Sequence, residues 1–242
     1  MNIELNKLYL GDAYELIKNI PDKSIDLIYT DIPYLIDDGG CSDNALSQRA
    51  KRLRCEELES MRHGIDYSIL DDFCRILKHI YIYIWCNKNQ IYDLLKYFVE
   101  KGCYFEILCW CKTNPTPLTN NVWLPDIEYC LMFREKGCPL YGTYSTKSKW
   151  FISSINKRDK DQYIHPCCKP MELVQRHIIN SSKEGDIILD PFAGSGTTCV
   201  AAKRLGRQYI GFEINEKYYK IACDRLNGLN QKGEMNLFDL SL

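Results

Sequence analysis

Short apolar runs, separated by polar residues and glycines, recur along most of this chain. The runs are rich in Ile, Leu and Tyr, and each is three to seven residues long, which is typical of buried strands. Amphipathic segments of helical period lie between most of them. The expected strands are Leu8–Leu10, Ile25–Thr30, Ile80–Cys86, Ile187–Asp190 and Gln208–Glu213.

Helix start and stop signals bound the segments between these strands. Asp12, Ser68 and Asn215 are placed to cap helix N-termini, and Gly102 and Gly206 suit helix ends. Strands that alternate with helices predict a doubly wound, mainly parallel α/β sheet. The expected helices cover residues 13–20, 68–79, 89–101, 170–181, 197–205 and 215–226.

Two further strands break this alternation. Tyr104–Cys111 and Ile127–Arg134 are separated by a loop with three prolines, which disfavours a helical connection, so we expect an antiparallel pair. Residues 38–64 and 135–165 have no clear hydrophobic period. We expect them to be insertions in a single domain that spans residues 1–242.

Composition excludes several classes of protein. Apolar residues make up 45% and charged residues 26% of the 242 residues, which are ordinary globular values. The longest apolar stretch is Ile80–Cys86, far shorter than the roughly 20 residues that cross a bilayer. The first residues lack the basic start and long apolar core of a signal peptide. We expect a cytoplasmic protein with no membrane partner.

The thirteen cysteines are scattered through the expected strands and helices without any C-x-x-C pair. This distribution is typical of small buried side chains in a reducing compartment. The alternative is a metal site at Cys109 and Cys111, which would share one face of a strand. We expect no metal.

The net charge is only −1, but the charges are unevenly distributed. Residues 1–40 contain eight acidic and three basic side chains, whereas residues 134–169 contain eight basic and three acidic ones. A second basic cluster lies at residues 49–54. Basic stretches can follow the phosphates of a nucleic acid, although a solvated surface gives the same pattern.

Acidic residues end or follow four of the expected strands. Asp12, Asp31, Asp190 and Glu213 would therefore meet at the carboxyl edge of a parallel sheet, where ligands bind. Glu213 follows Gly194 by nineteen residues, close to the spacing at which a strand-end acid accepts hydrogen bonds from ribose hydroxyls.

A glycine turn begins at Asp190. Glycines let the backbone approach a ligand closely, and this turn lacks the Gly-Lys-Ser/Thr ending of a phosphate loop. It therefore predicts a nucleoside-type cofactor rather than a nucleoside triphosphate. The candidate cofactor residues of the turn are Asp190, Pro191, Phe192, Ala193, Gly194, Ser195, Gly196 and Thr197.

The segment Asp31-Ile32-Pro33-Tyr34 follows another expected strand. It offers a carboxylate, a backbone carbonyl and an aromatic ring, which together can hold a planar base by its exocyclic amine. An ordinary strand-to-turn exit would also use Asp and Pro. Combined with the glycine turn, the segment indicates methyl transfer from S-adenosylmethionine to a nucleobase nitrogen.

In these segments the chain resembles the permuted, or β-group, amino-methyltransferases of DNA, in which the catalytic tetrapeptide precedes the cofactor loop. The resemblance implies a class I fold that binds S-adenosylmethionine, with seven strands of which one is antiparallel. It also implies site-specific methylation of adenine N6 in double-stranded DNA, by a prokaryotic or phage-encoded protein. The matching segments are Gly11-Asp12, residues 24–34, residues 165–170, Asp190–Thr198 and Gly211-Phe212-Glu213.

The resemblance also implies roles for the residues of the tetrapeptide. The Asp31 carboxylate and the Ile32 carbonyl would accept the two amine hydrogens, which localises the lone pair of the amine. Tyr34 would stack on the base, which must be flipped out of the duplex. The family usually has proline at the position of Ile32, so we expect a less rigid turn here.

On the cofactor side, the resemblance places Asp12 near the adenine ring of the cofactor and Lys169 near its methionyl end. The glycine turn and Glu213 would cradle the remainder. Cys167-Cys168 stands where the family usually shows Thr-Gln. The two insertions would supply the contacts to DNA, with Trp123, Trp150 and Tyr163 as aromatic candidates for either base contacts or core packing.

Several alternatives stay open at this point. Cytosine-N4 methylation uses the same geometry, but the family then usually has Ser in place of Asp31. RNA or protein methylation, and a catalytically silent module that binds cofactor and DNA, are further alternatives. Cytosine-C5 methylation would need a cysteine nucleophile, and Cys167 falls in the cofactor-side segment instead. Open partners are a second copy, a cognate restriction endonuclease, and a sliding clamp bound through the tail at residues 234–238.

Overall fold

The predicted strands form one mixed sheet. The computed structural model describes residues 3–35, 63–115, 123–155 and 169–229. Within these ranges, eight strands pair in the order β1-β8-β7-β2-β3-β5-β4-β6. Their bounds are β1 Lys7–Leu10, β2 Leu27–Asp31, β3 Tyr81–Cys86, β4 Tyr104–Lys112, β5 Ile127–Arg134, β6 Trp150–Ser153, β7 Ile187–Asp190 and β8 Gln208–Glu213.

The sheet is parallel except for β5, which lies antiparallel to both β3 and β4. The predicted antiparallel pair is therefore confirmed. The expected number of seven strands is wrong for this chain, because β6 adds an eighth strand inside the aperiodic segment 135–165. Trp150–Ser153 pairs in parallel with the outer edge of β4 at Cys109–Lys112. The strand is short and flanked by polar residues, so it gives little hydrophobic period.

Helices cover both faces of the sheet, which confirms the doubly wound prediction. One apolar cluster packs the first three helices against one face, and a second cluster packs the last three against the other. Their bounds are α1 Ala13–Leu16, α2 Ile69–Ile76, α3 Ile91–Glu100, α4 Met171–Ser181, α5 Thr197–Arg204 and α6 Glu216–Leu226, and a 3-10 turn at Ile17–Asn19 extends α1.

Two of the three predicted N-caps are confirmed. The Asp12 side chain accepts a hydrogen bond from the backbone of Tyr14, and Asn215 caps α6 in the same way. Ser68 precedes α2 but its hydroxyl makes no capping bond, so that prediction is wrong. The expected extent of this helix is also wrong, because α2 ends at Ile76. The next residues are drawn into an extended bridge, in which the Lys78 amide donates to the Ile25 carbonyl.

Several expectations fall partly or wholly outside the described residues. These are the basic cluster at 49–54, most of the insertion at 38–64, the end of the insertion at 135–165, Cys167-Cys168, and the tail at 234–238. The single-domain organisation stays a prediction. In the parts of the chain that the structure describes, no helix is long and apolar enough to span a membrane, and no group of side chains has the arrangement of a metal site.

Candidate active site

Four neighbouring parallel strands bring the predicted acidic residues to one edge of the sheet. Asp31, Asp190 and Glu213 are the last residues of β2, β7 and β8, and Asp12 lies two residues beyond β1. All four line a cavity of about 310 Å³. Of the fifteen predicted site residues, fourteen line this cavity, among them the whole tetrapeptide and Lys169.

Gly196 is the predicted site residue that does not line the cavity. It has a left-handed backbone (φ 76°), and a Cβ atom there would stand 2.9 Å from the Cβ atom of Ala222. Its small size therefore allows α5 to start against α6. The cofactor contact of Gly196 stays a prediction, and the packing against Ala222 is a separate reason for a glycine at this position.

The tetrapeptide is held by the end of β3. Asp31 pairs with Trp85 in the parallel register, and the Ile32 amide donates to the Trp85 carbonyl at 3.2 Å. The Ile32 side chain is buried in the core. The fully buried Gln90 donates from Nε2 to the Pro33 carbonyl at 2.9 Å. A proline at position 32 has no N–H and could not donate this hydrogen bond. The hydrogen bond from Ile32 therefore supplies part of the rigidity that a proline ring would have given.

The Asp31 carboxylate has one engaged and one available oxygen atom. Oδ2 accepts a hydrogen bond from Lys169. Oδ1 is buried and has no hydrogen-bond partner among the described residues. Burial raises the pKa of Asp31, and the Lys169 ammonium opposes that rise. A buried acceptor without a donor is costly, so Oδ1 is suited to accept a hydrogen from a ligand.

Lys169 lies at the Asp31 end of the cavity. Its ammonium pairs with Asp31 and with Glu128, the latter at 3.1 Å, and it lies 5.1 Å from the ring centre of Trp85. The contact with the methionyl end of a cofactor stays a prediction. Sequence reasoning found Lys169 but missed Glu128, although an acid near the start of the mainly apolar strand β5 is a signal that could have marked it.

At the other end of the cavity, Glu213 organises the glycine turn. Its Oε2 accepts from the Gly194 amide at 2.7 Å, and its Oε1 accepts from the Asn215 amide at 2.8 Å. Each oxygen keeps a second lone pair that can accept a hydroxyl hydrogen. Burial raises the pKa of Glu213, and it raises the pKa of Asp190 to about 7.

A buried arginine fixes the glycine turn from behind. Arg225 on α6 donates to the Thr197 hydroxyl at 2.8 Å and to the Ser195 carbonyl at 3.3 Å. Sequence reasoning missed this residue, because a single basic residue near a helix C-terminus is normally solvated. Of the exposed aromatic candidates, Trp123 is 97% and Trp150 58% exposed, so neither is a core residue. Tyr163 lies outside the described residues.

The residues present fit a nucleoside-type cofactor. Phe192, Ile214 and Tyr218 form apolar and aromatic walls beside the Glu213 acceptor oxygens. The same cavity continues to Asp31, whose Oδ1 atom has no partner in the described parts of the chain. The cavity therefore offers acceptors at both of its ends, for a nucleoside at the Glu213 end and for a hydrogen-bond donor at the Asp31 end.

Comparisons with known proteins agree with this geometry. A family model described as DNA methylase (N6_N4_Mtase) matches residues 25–224. The chain is 32% identical to the Type II methyltransferase M2.DpnII of Streptococcus pneumoniae, over 93% of this chain and 92% of that protein. It is 30% identical to the Type II methyltransferase M.HinfI of Haemophilus influenzae, over 93% of this chain and 69% of that protein.

Solved structures show the same fold. The crystal structure of the M1.HpyAVI–SAM complex has a TM-score of 0.66, with 24% identity over 91% of this chain and 99% of the other. The cytosine-N4-specific PvuII DNA methyltransferase has a TM-score of 0.69, with 17% identity over 97% of this chain and 95% of the other. The family model and the curated relatives show that the chain belongs to the DNA methylase family, as the resemblance of its motifs predicted.

Proposed function

We propose that this protein transfers a methyl group from S-adenosylmethionine to N6 of a flipped-out adenine in double-stranded DNA. The observation that carries the proposal is the single cavity, in which the glycine turn and Glu213 stand at one end and Asp31 with an unpartnered oxygen stands at the other. Asp31, rather than Ser, at the head of the tetrapeptide favours adenine over cytosine.

The tetrapeptide binds the base in this proposal. Asp31 Oδ1 and the Ile32 carbonyl accept the two hydrogens of the amine, so that its lone pair is directed out of the ring system. Tyr34 stacks on the base, a contact worth about 1–3 kcal/mol. The amine nitrogen would bond to the methyl carbon as the carbon–sulfur bond breaks with its electron pair left on sulfur, and the nitrogen would then release one proton to solvent. Positioning supplies most of the rate enhancement.

The other end of the cavity binds the methyl donor. Glu213 accepts hydrogen bonds from ribose hydroxyls, Phe192 packs beside the nucleoside, and Asp12 lies near the adenine ring. The donor supplies a methyl group on a positively charged sulfur. The amides of the glycine turn and the buried Asp190 shape the neighbouring wall.

The DNA partner is double-stranded and is contacted by the insertions at 38–64 and 135–165. Because the curated relatives are Type II methyltransferases, we extend the proposal to a cognate restriction endonuclease that cuts the same unmethylated site. A second copy and a sliding clamp bound through residues 234–238 are further partners to test. The location that follows from this role is the cytoplasm of a bacterium.

Expression in a host that lacks adenine methylation tests the proposal directly. Sequencing of the host DNA with detection of modified bases should reveal N6-methyladenine at one recurring sequence. N4-methylcytosine at the recurring sequence would replace the adenine assignment by the cytosine alternative. A purified protein that binds S-adenosylmethionine and DNA but transfers no labelled methyl group would establish the silent module instead.

The role of Asp31 gives a sharper prediction. Asp31→Ala should lower kcat by at least about a hundredfold, as loss of a hydrogen-bonding group in a transition state does. Binding of S-adenosylmethionine, measured by calorimetry, should change by less than about threefold. Asp31→Asn is the matched variant, because it keeps the shape but removes the charge. Normal turnover by Asp31→Ala would refute the assigned role.

A further inference from the structure

Four charged side chains of alternating sign extend from the base end of the cavity across the sheet. Asp31 pairs with Lys169, Lys169 with Glu128, and Glu128 Oε1 with the Lys112 ammonium at 2.6 Å. Lys169 is only 5% exposed, and Glu128 and Lys112 are each largely buried. We refer to these four residues as the charge chain.

The sheet register places the charge chain on one face. Asp31 is level with Trp85 on β3, and Trp85 is level with Cys130 on β5. Glu128 lies two residues before Cys130, so its side chain points to the same face. Lys112 follows Trp110, the partner of Glu128, by two residues. Lys169 lies just before α4, which covers this face.

The neighbouring ammonium groups keep the Glu128 carboxylate of the charge chain ionised. Although burial raises the pKa of Glu128, the Lys169 and Lys112 ammonium groups lower it to about 2, so the carboxylate is ionised at neutral pH. Asp31 therefore does not carry the whole negative charge that faces Lys169. Oδ2 of Asp31 is engaged by Lys169 while Oδ1 has no partner among the described residues.

Methyl transfer depends on this balance of charges around Lys169, because the reaction moves positive charge within the cavity. As the amine nitrogen takes the methyl group, positive charge moves from the sulfur to that nitrogen. An ammonium group in the same cavity opposes this movement unless a carboxylate offsets it, because charges in a water-poor site are weakly screened. Asp31 carries a single negative charge, which cannot fully offset both the Lys169 ammonium at Oδ2 and the positive charge that develops on the amine at Oδ1.

We infer that Glu128, a residue outside every motif, is a positioning residue for methyl transfer: it holds and offsets Lys169 so that Asp31 can accept the base amine. The inference rests on the proposed function and adds to it a residue from the antiparallel strand. Glu128 acts through Lys169 and does not contact the base.

A double-mutant cycle tests the inference, with labelled methyl transfer to DNA from an unmethylated host as the readout. Glu128→Gln should lower kcat roughly tenfold, with the KM for S-adenosylmethionine within about twofold of the wild type. In a Lys169→Met background, the same change should alter kcat by less than about twofold, because no cation then needs to be offset. Glu128→Asp should restore most of the lost kcat.

A surface glutamate serves as the control. Glu4 pairs with Lys7 at the opposite edge of the sheet, 60% exposed and away from the cavity, and Glu4→Gln should leave kcat unchanged. If Glu128→Gln does not fold, the cycle is run with Glu128→Met, which also removes the charge at a similar side-chain length, and the same pattern of coupling is expected.

Two outcomes overturn the inference while leaving the proposed function in place. One is wild-type kcat in Glu128→Gln, and the other is an equal loss of kcat in the presence and absence of Lys169. A wild-type chain that transfers no methyl group overturns the proposed function, and this inference with it.

Discussion

At the scale of single residues, a buried hydrogen-bonded group of rings lies beneath the cavity, and two of its members, Tyr29 and Trp85, line the cavity. The Trp85 indole donates to the Tyr29 hydroxyl at 2.9 Å, and that hydroxyl lies 3.2 Å from His177 Nδ1. The His177 ring stacks on Tyr83 with a centroid distance of 5.0 Å. Burial lowers the pKa of His177 to about 3, so the imidazole is neutral in the folded protein at neutral pH.

The lowered pKa of His177 predicts that the free energy of unfolding falls as the pH is lowered. In the unfolded chain the pKa of a histidine is about 6.5, so between pH 6.5 and pH 3 the unfolded state binds more protons than the folded state. The contribution of His177 to stability is therefore complete above pH 6.5 and falls as the pH drops. The loss at pH 5 amounts to about 2 kcal/mol.

Urea unfolding of wild type and His177→Phe at pH 8 and pH 5 measures this effect. At pH 8 the variant should be about 1 kcal/mol less stable than the wild type, because the Tyr29 hydroxyl loses its hydrogen-bond partner. From pH 8 to pH 5, the free energy of unfolding of the variant should fall by about 2 kcal/mol less than that of the wild type. Carboxylates with raised pKa, such as Asp190, act in both proteins and cancel in the difference. Equal pH dependence in the two proteins would show that His177 does not stay neutral.

At the scale of elements, the first turn of α5 depends on its contact with α6. Gly196 lets the two helices approach, and Arg225 from α6 bonds to both sides of the turn at Ser195 and Thr197. The turn that faces the cavity is thus positioned by a helix from the very end of the described chain. Its geometry is a property of the helix pair rather than of the glycine sequence alone.

Gly196→Ala should therefore lower the free energy of unfolding more than a Gly→Ala substitution at another position with the same backbone conformation. Gly102 is the matched control, since both glycines have φ 76° but a Cβ atom at Gly102 meets nothing within 4 Å. Gly102→Ala should lose about 1–2 kcal/mol from the left-handed backbone alone. Gly196→Ala should lose a further 1–3 kcal/mol or so from the clash with Ala222. Equal losses in urea unfolding would contradict the packing explanation.

At the scale of the whole molecule, the cavity is lined by two segments that lie far apart in the sequence. Residues 11–34 and 169–218 supply nearly all of its lining, and strands β1 and β8 lie side by side although they are at opposite ends of the described chain. The strands β4, β5 and β6 form the other end of the sheet. A ligand in the cavity therefore holds together segments that are distant in sequence.

Ligand binding should accordingly stabilise the whole fold. S-adenosylmethionine at about a hundredfold over its Kd should add about 2.7 kcal/mol, which corresponds to a rise in Tm of roughly 5–10 °C for a chain of this size. Glu213→Ala should reduce the rise, because the ribose acceptors are lost, whereas Asp31→Ala should keep it. Thermal unfolding with and without the ligand measures both. The absence of any rise at millimolar ligand would argue against the cofactor site.

The elements of this protein and most of its cavity could be predicted from the amino-acid sequence by itself. Apolar runs and capping residues predicted seven of the strands and the order of the helices, because these features depend on neighbours in the chain. Parallel strands bring their carboxyl ends to one edge, so Asp31, Asp190 and Glu213 were expected together before any distance was known.

The tertiary structure alone decided which side chains complete the site. Lys169 meets Asp31 across 138 positions of sequence, and Glu128 reaches Lys169 through the order of β2, β3 and β5 in the sheet. Short-range patterns carry no record of strand order, and the pairing of distant charges depends on it. For the same reason the role of Gly196 became visible only when α6 was placed against it.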